Sequence, residues 1–97
     1  MQPIRVLVVD DEKDFASAVV ERLARRGFTA SAAFGGKEAV GTVRNSEFDV
    51  IVLDLLMPEM NGTEVCREIR AFSQVPILVL SAVSKPGITQ TSPPASR

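Results

Sequence analysis

Three carboxylates stand where chemistry can be done with them. Asp10 and Asp11 end one apolar run, Ile4 to Val9, and Asp54 ends a second that begins after Asp49. A short β-branched run bounded by polar residues reads as a buried strand. An acid at the C-terminal end of such a strand lies on the edge where open parallel α/β sheets bind ligands. One acid there most often caps the following helix; two strands delivering three acids to one edge make a site. Three carboxylates in one crevice repel one another, so either a proton or a cation must be taken up. An all-oxygen set that leaves positions for water and phosphate oxygens suits Mg2+. A Mg2+ beside a strand-end carboxylate is a setting for phosphoryl transfer onto that carboxylate, because the metal neutralises charge on the group in flight. The hydroxyl of Ser81, which ends a later apolar run, could hydrogen-bond a phosphoryl oxygen.

Composition removes most alternatives. The chain contains no His, Trp or Tyr. A self-contained Ser-His or Cys-His nucleophile is thereby excluded, and so is a His-ligated zinc site. Eleven basic and 12 acidic residues leave a net charge of −1, so no global field draws the chain to nucleic acid or anionic lipid. No apolar run approaches the length of a membrane span, and the first residues lack the basic and apolar regions of a signal peptide. A single cysteine, Cys66, allows no internal disulfide, so a reducing, cytoplasmic setting is expected. With no imidazole to activate it, Cys66 reads as a packing residue. Ninety-seven residues at 45% hydrophobic content permit one small globular domain.

The elements that must position the acids follow from periodicity. Ile4 to Val9 is a strand, and Asp11 or Glu12 caps a helix running to about Arg26. Phe15, Val19, Val20 and Leu23 form its inner stripe, and Gly27 stops it. Phe28 to Phe34 is a weaker strand with Thr29 and Ser31 outward, as at a sheet edge. A Gly35-Gly36 turn precedes a short helix, Lys37 to Arg44, that buries Ala39, Val40 and Val43. The strand from Asp49 to Leu53 comes next, and the loop behind Asp54 is stopped by Pro58 and Asn61-Gly62. Asn61, with Glu64 three residues on, has the spacing of a helix N-cap. Its helix runs to about Phe72 and buries Val65, Ile69 and Phe72. Val75 to Leu80 is the fourth strand, with Pro76 at its start, where a missing N–H is tolerated. Strands and helices alternate βαβαβαβ, which predicts a doubly wound parallel α/β sheet. Residues 84–97 are rich in Pro, Ser and Thr and are expected to form a disordered tail, leaving 1–83 as the domain.

Residues 4–83 resemble the receiver domain of two-component response regulators. The resemblance rests on the pair Asp10-Asp11, the block Asp54-Leu55-Leu56-Met57-Pro58-Glu59-Met60-Asn61-Gly62, and Ser81-Ala82 closing the fourth strand. It implies a flavodoxin-like topology with strand order 2-1-3-4. It implies that Asp54 accepts a phosphoryl group from a partner histidine kinase or phosphotransfer protein. Asp10, Asp11, Asp54 and the backbone carbonyl of Leu56 would surround Mg2+, and Ser81 would be the switch hydroxyl. The missing histidine then belongs to the partner. Leu56 and Val83, two residues beyond Asp54 and Ser81, would flank the attacking water and make self-dephosphorylation slow.

The chain also departs from the family pattern. Receivers continue after the fourth strand with a helix, a fifth strand carrying a lysine followed by proline, and a last helix. Here Lys85-Pro86 follows Ser81 by only four residues, which leaves no room for a helix and strand between them. Lys85 stands as a candidate phosphoryl contact, and the chain reads as a receiver without its last helix, strand and helix. Without that last helix, one side of Val50, Val52 or their neighbours and part of Ile77 to Leu80 would be uncovered, and the fourth strand would be an edge. A homodimer through that strand and sheet face would cover them. Two functions follow: a Mg2+-dependent phospho-acceptor that is not a turnover enzyme, or a degenerate receiver acting as a phosphorylation-independent dimerisation module. A phosphatase with a strand-end aspartate needs an acid two residues on, where Leu56 stands; a flavin site needs a phosphate cradle where Asp10-Asp11-Glu12 is acidic.

Overall fold

Alternate residues of an extended chain point to opposite sides of a sheet, so each apolar run divides into two rows. In the computed structural model, which describes residues 2–55, 57 and 61–80, those rows separate two cores. The elements are β1 (Arg5–Val9), α1 (Lys13–Arg25), β2 (Thr29–Ala33), α2 (Gly36–Asn45), β3 (Val50–Asp54), α3 (Gly62–Arg70) and β4 (Ile77–Leu80). The four strands are parallel in the order β2-β1-β3-β4. Leu7, Val9, Ile51 and Leu53 face α2 and α3, where they pack with Ala39, Val40, Val43, Val65 and Ile69. Val6 and Val8 face α1, where Ala16 closes a smaller cluster. This is the doubly wound α/β sheet expected from the alternation of elements.

The helix termini show how the sequence sets the boundaries. Asn61 caps α3 as its spacing predicts, its Oδ1 accepting the Glu64 N–H at 3.0 Å. Glu12 takes the N-cap position of α1 but makes no side-chain cap bond; instead Asp10 Oδ1 accepts the Glu12 N–H at 2.9 Å. Gly27 ends α1 at φ 96, a left-handed conformation that glycine adopts without steric cost.

Several expectations are corrected: β2 is shorter, Thr29–Ala33, and α3 ends at Arg70 with Phe72 beyond it half-buried. Helix α2 begins at Gly36, which is buried inside it and not in a turn; Gly35 holds the N-cap position. Strand β3 begins at Val50 and includes Asp54, because Asp54 pairs with Leu80 and the Leu55 N–H reaches the Leu80 carbonyl at 3.3 Å. Strand β4 begins at Ile77, although the Pro76 carbonyl still accepts the Ile51 N–H at 2.9 Å. The α1 stripe is the largest difference. Only Ala16 of that helix is buried; Phe15, Val19, Val20 and Leu23 are half-buried. Among the described residues a single helix covers that face of a four-stranded sheet. It shields β1 and leaves Val50 and Val52 half-buried and Leu78 56% exposed. Val79, on the other face, is 43% exposed, so β4 is an edge strand open on both sides among the described residues. The tail expected over 84–97 lies outside the described residues.

Candidate metal centre

The register of β1 against β3 assembles the acids. Val9 is the Cα partner of Leu53, so the next residues, Asp10 just past β1 and Asp54 at the end of β3, stand at the same level. Both are buried, with 2% and 1% of their surface exposed. Asp11, the more exposed of the three, completes the group. One carboxylate oxygen from each residue lies within 4.8 Å of those of the others. The three carboxylates singled out in the sequence therefore meet in space.

Local bonds hold the strand ends in place. The Asp10 N–H continues the ladder to β2 by donating to the Ala33 carbonyl at 3.1 Å, and its Oδ1 closes the turn into α1 through the Glu12 N–H. Capping and clustering thus coexist in one side chain. On β3, the Gly62 N–H donates to the Leu55 carbonyl at 3.1 Å, which ties the start of α3 to the residue after Asp54. Met57 is buried in the core beneath α2 and α3. Leu56, Ser81 and Lys85 lie outside the described residues.

The chemistry of the donor set suits Mg2+. Hard carboxylate oxygens are the ligands Mg2+ takes, and no softer nitrogen or sulfur donor belongs to the cluster. Two of the three acids are almost fully withdrawn from water, where repulsion between neighbouring carboxylates makes a divalent cation stabilising. The residues fit the ion. A groove of about 600 Å3 lies elsewhere, at the opposite end of the strands, among Arg5, Phe48, Asp49, Phe72 and Val75.

One contact was not legible in advance. A Cβ placed on Gly62 would lie 2.5 Å from Leu55 Cδ2, 2.7 Å from Leu55 Cα and 3.2 Å from the Asp54 carbonyl oxygen. The sequence marks Asn61-Gly62 as a turn and cap; the pressure of Gly62 on β3 is a tertiary fact with no local signature.

An open parallel α/β sheet with an acid cluster at the carboxyl ends of β1 and β3 defines a class of small single-site domains. Residues 6–92 match the family model of the response regulator receiver domain, and the chain belongs to that family. The chemotaxis protein CheY4 of Vibrio cholerae, crystallised at low pH, is 33% identical with a TM-score of 0.80, over 94% of this chain and 72% of that one. The response regulator TrrA of Thermotoga maritima, solved in complex with Mg(2+)-BeF, is 35% identical with a TM-score of 0.76, over 81% and 70%. A response regulator receiver protein from Pseudomonas putida is 32% identical with a TM-score of 0.77, over 84% and 69%. No helix among the described residues is long and apolar enough to cross a membrane.

Proposed function

We propose that this receiver domain accepts a phosphoryl group on Asp54 from a sensor histidine kinase or phosphotransfer protein. The observation that carries the reading is the meeting of Asp10, Asp11 and Asp54 oxygens within 4.8 Å at the strand ends. Asp10, Asp11 and Asp54, with the backbone carbonyl of Leu56, would hold Mg2+. When bound, the ion supplies charge neutralisation for the carboxylates and the incoming phosphoryl oxygens. The complex of TrrA with Mg(2+)-BeF supports the same ion here, since beryllofluoride has the size and charge of a phosphoryl group.

The chain's own residues do the rest. An Asp54 carboxylate oxygen bonds to phosphorus while the partner's P–N bond breaks, and its electron pair returns to the partner's imidazole nitrogen. Burial of Asp54 shields the resulting acyl phosphate from water. Asp10 is held in orientation by the Glu12 N–H. Ser81 is the hydroxyl proposed to move onto the new phosphoryl oxygens, and Lys85 a further contact to them; the added charge and acceptors make the switch. The domain acts as a cytoplasmic phospho-acceptor that assists its own modification, and not as a turnover enzyme. No nucleic-acid or membrane contact is assigned to it.

A second reading has one observation in its favour. Among the described residues Leu78 and Val79 are exposed on the two sides of the outermost strand, β4, which suits a dimerisation module that works without phosphorylation. Intact-mass measurement after incubation with acetyl phosphate and Mg2+ separates the two. A single phosphoryl adduct that disappears with EDTA and in Asp54→Asn is the expected result. No adduct on a chain that circular dichroism shows to be folded would favour the dimerisation module.

A further inference from the structure

We infer that Gly62 is a positioning residue for Asp54: the absence of a side chain at Gly62 lets α3 press on the peptide after the acceptor and fixes where that carboxylate sits. The inference rests on the phospho-acceptor reading of Asp54, which it deepens. Its basis is space, not backbone freedom. Among the described residues Gly27 is the glycine with positive φ, so the conformation of Gly62 is open to any residue. What excludes a side chain is the wall it would meet: Leu55 Cδ2 at 2.5 Å, Leu55 Cα at 2.7 Å and the Asp54 carbonyl oxygen at 3.2 Å. Two of those three atoms are backbone and cannot rotate away.

The two elements in contact are not equally free to give. Helix α3 is fixed by its Asn61 cap and by Val65 and Ile69, both fully buried. Leu55 lies one residue beyond the end of β3, tied by the 3.3 Å bond from its N–H to the Leu80 carbonyl and by the 3.1 Å bond its carbonyl accepts from the Gly62 N–H. An added methyl group would therefore displace the Asp54–Leu55 peptide and not the helix. Because Asp10 is separately held by Ala33 and Glu12, that displacement changes the geometry of the acid cluster instead of moving it as a unit. Gly41 offers a matched control in α2, with nothing within 4 Å of its Cβ position.

The experiment uses the full chain, labelled with nitrogen-15, as wild type, Gly41→Ala, Gly62→Ala and Leu55→Ala/Gly62→Ala. Backbone amide shifts are recorded without metal and through a Mg2+ titration. In Gly62→Ala the metal-free amides of Asp54 and Leu55 should move, and the Mg2+ affinity should fall by roughly 10-fold to 100-fold, the usual cost of disturbing what orients a ligand. Gly41→Ala should leave both unchanged. The double variant should stay weak, because trimming Leu55 removes Cδ2 but leaves Cα. Unmoved Asp54 and Leu55 amides, wild-type affinity in Gly62→Ala, or recovery in the double variant would each overturn the inference. If the wild type itself binds no Mg2+, the phospho-acceptor reading fails, and the metal-free shifts alone decide the role of Gly62. Should Gly62→Ala not fold, hydrogen exchange on the wild type decides: the Gly62 N–H should be as protected as that of Leu53, and fast exchange there would refute the contact.

Discussion

Asp10 and Asp54 emerge side by side from adjacent strands because Val9 and Leu53 are partners across the β1–β3 ladder. The pairing is a consequence of hydrophobic register. Val9 and Leu53 both face the α2–α3 core, and a slip of one residue would turn each row to the wrong face. The same forces that bury the apolar rows therefore deliver two carboxylates into one crevice. Carboxylates placed this close repel one another when ionised.

Removing part of that repulsion should stabilise the metal-free protein. Like charges no more than 4.8 Å apart at an effective dielectric near 20 oppose each other by on the order of 3 kcal/mol. Packing and hydrogen-bond changes offset part of this, so Asp54→Asn is expected to gain roughly 1–2 kcal/mol, a rise in Tm of about 5–10 °C for a domain of this size. Addition of Mg2+ should raise the Tm of the wild type and leave that of Asp54→Asn nearly unchanged. Differential scanning calorimetry with and without EDTA checks both; an Asp54→Asn variant less stable than the metal-free wild type would contradict the argument.

The cap of α3 is a separate contribution. Asn61 Oδ1 accepts the Glu64 N–H at 3.0 Å in an exposed position, so its removal costs a hydrogen bond and little packing. Asn61→Ala should lower stability by about 1 kcal/mol, read as a lower urea midpoint with an unchanged slope. A change in slope would mean that the loop behind Asp54 had loosened as well.

Cys66 makes a pH-dependent prediction. Burial raises its thiol above the 9.0 of an unburied cysteine, with the nearby Arg70 charge opposing the shift. A raised value means the folded state holds its proton more tightly than the unfolded chain. The associated stability is present in full below pH 9 and is lost as pH rises through the folded value. Stability should fall above pH 9 in the wild type more steeply than in Cys66→Ala. At pH 8, alkylation by iodoacetamide should be slower in the folded protein than in urea; equal rates would show that the thiol is not shielded.

The parts of this fold legible in the sequence are those set by local pattern. Alternating strands and helices gave the layers, the apolar runs placed Asp10 and Asp54 at strand ends, and the Asn61–Glu64 spacing marked a cap that the structure contains. Pattern failed where a neighbour decides the outcome. Phe15, Val19, Val20 and Leu23 have the spacing of a core stripe, yet they are half-buried because one helix spans that face among the described residues. Spacing reports which side a residue faces; burial depends on what else arrives. Gly62 is the converse case, since its closeness to Leu55 arises from how α3 meets β3 and leaves no trace in the residues around it.

Strand β4, outermost among the described residues, should control self-association. From Ala71 to Ser84 the sequence contains no charged residue, so the edge lacks the lysines and acids that usually discourage strand-to-strand pairing. Leu78 and Val79 add 56% and 43% exposed apolar side chains on its two faces. Two copies meeting edge to edge would pair antiparallel about a twofold axis and cover both residues at once. Sedimentation velocity over a range of concentrations should show a dimer for the wild type and a monomer for Leu78→Lys, where each copy brings a charge to the shared edge. Stability at low concentration should be nearly unchanged in that variant, because the side chain it replaces is already exposed. If Leu78→Lys associates as the wild type does, contact between copies does not run through β4. A dimer that persists in Leu78→Lys but is lost on Ile4→Lys would move the contact to Ile4, the other large apolar residue half exposed among those described.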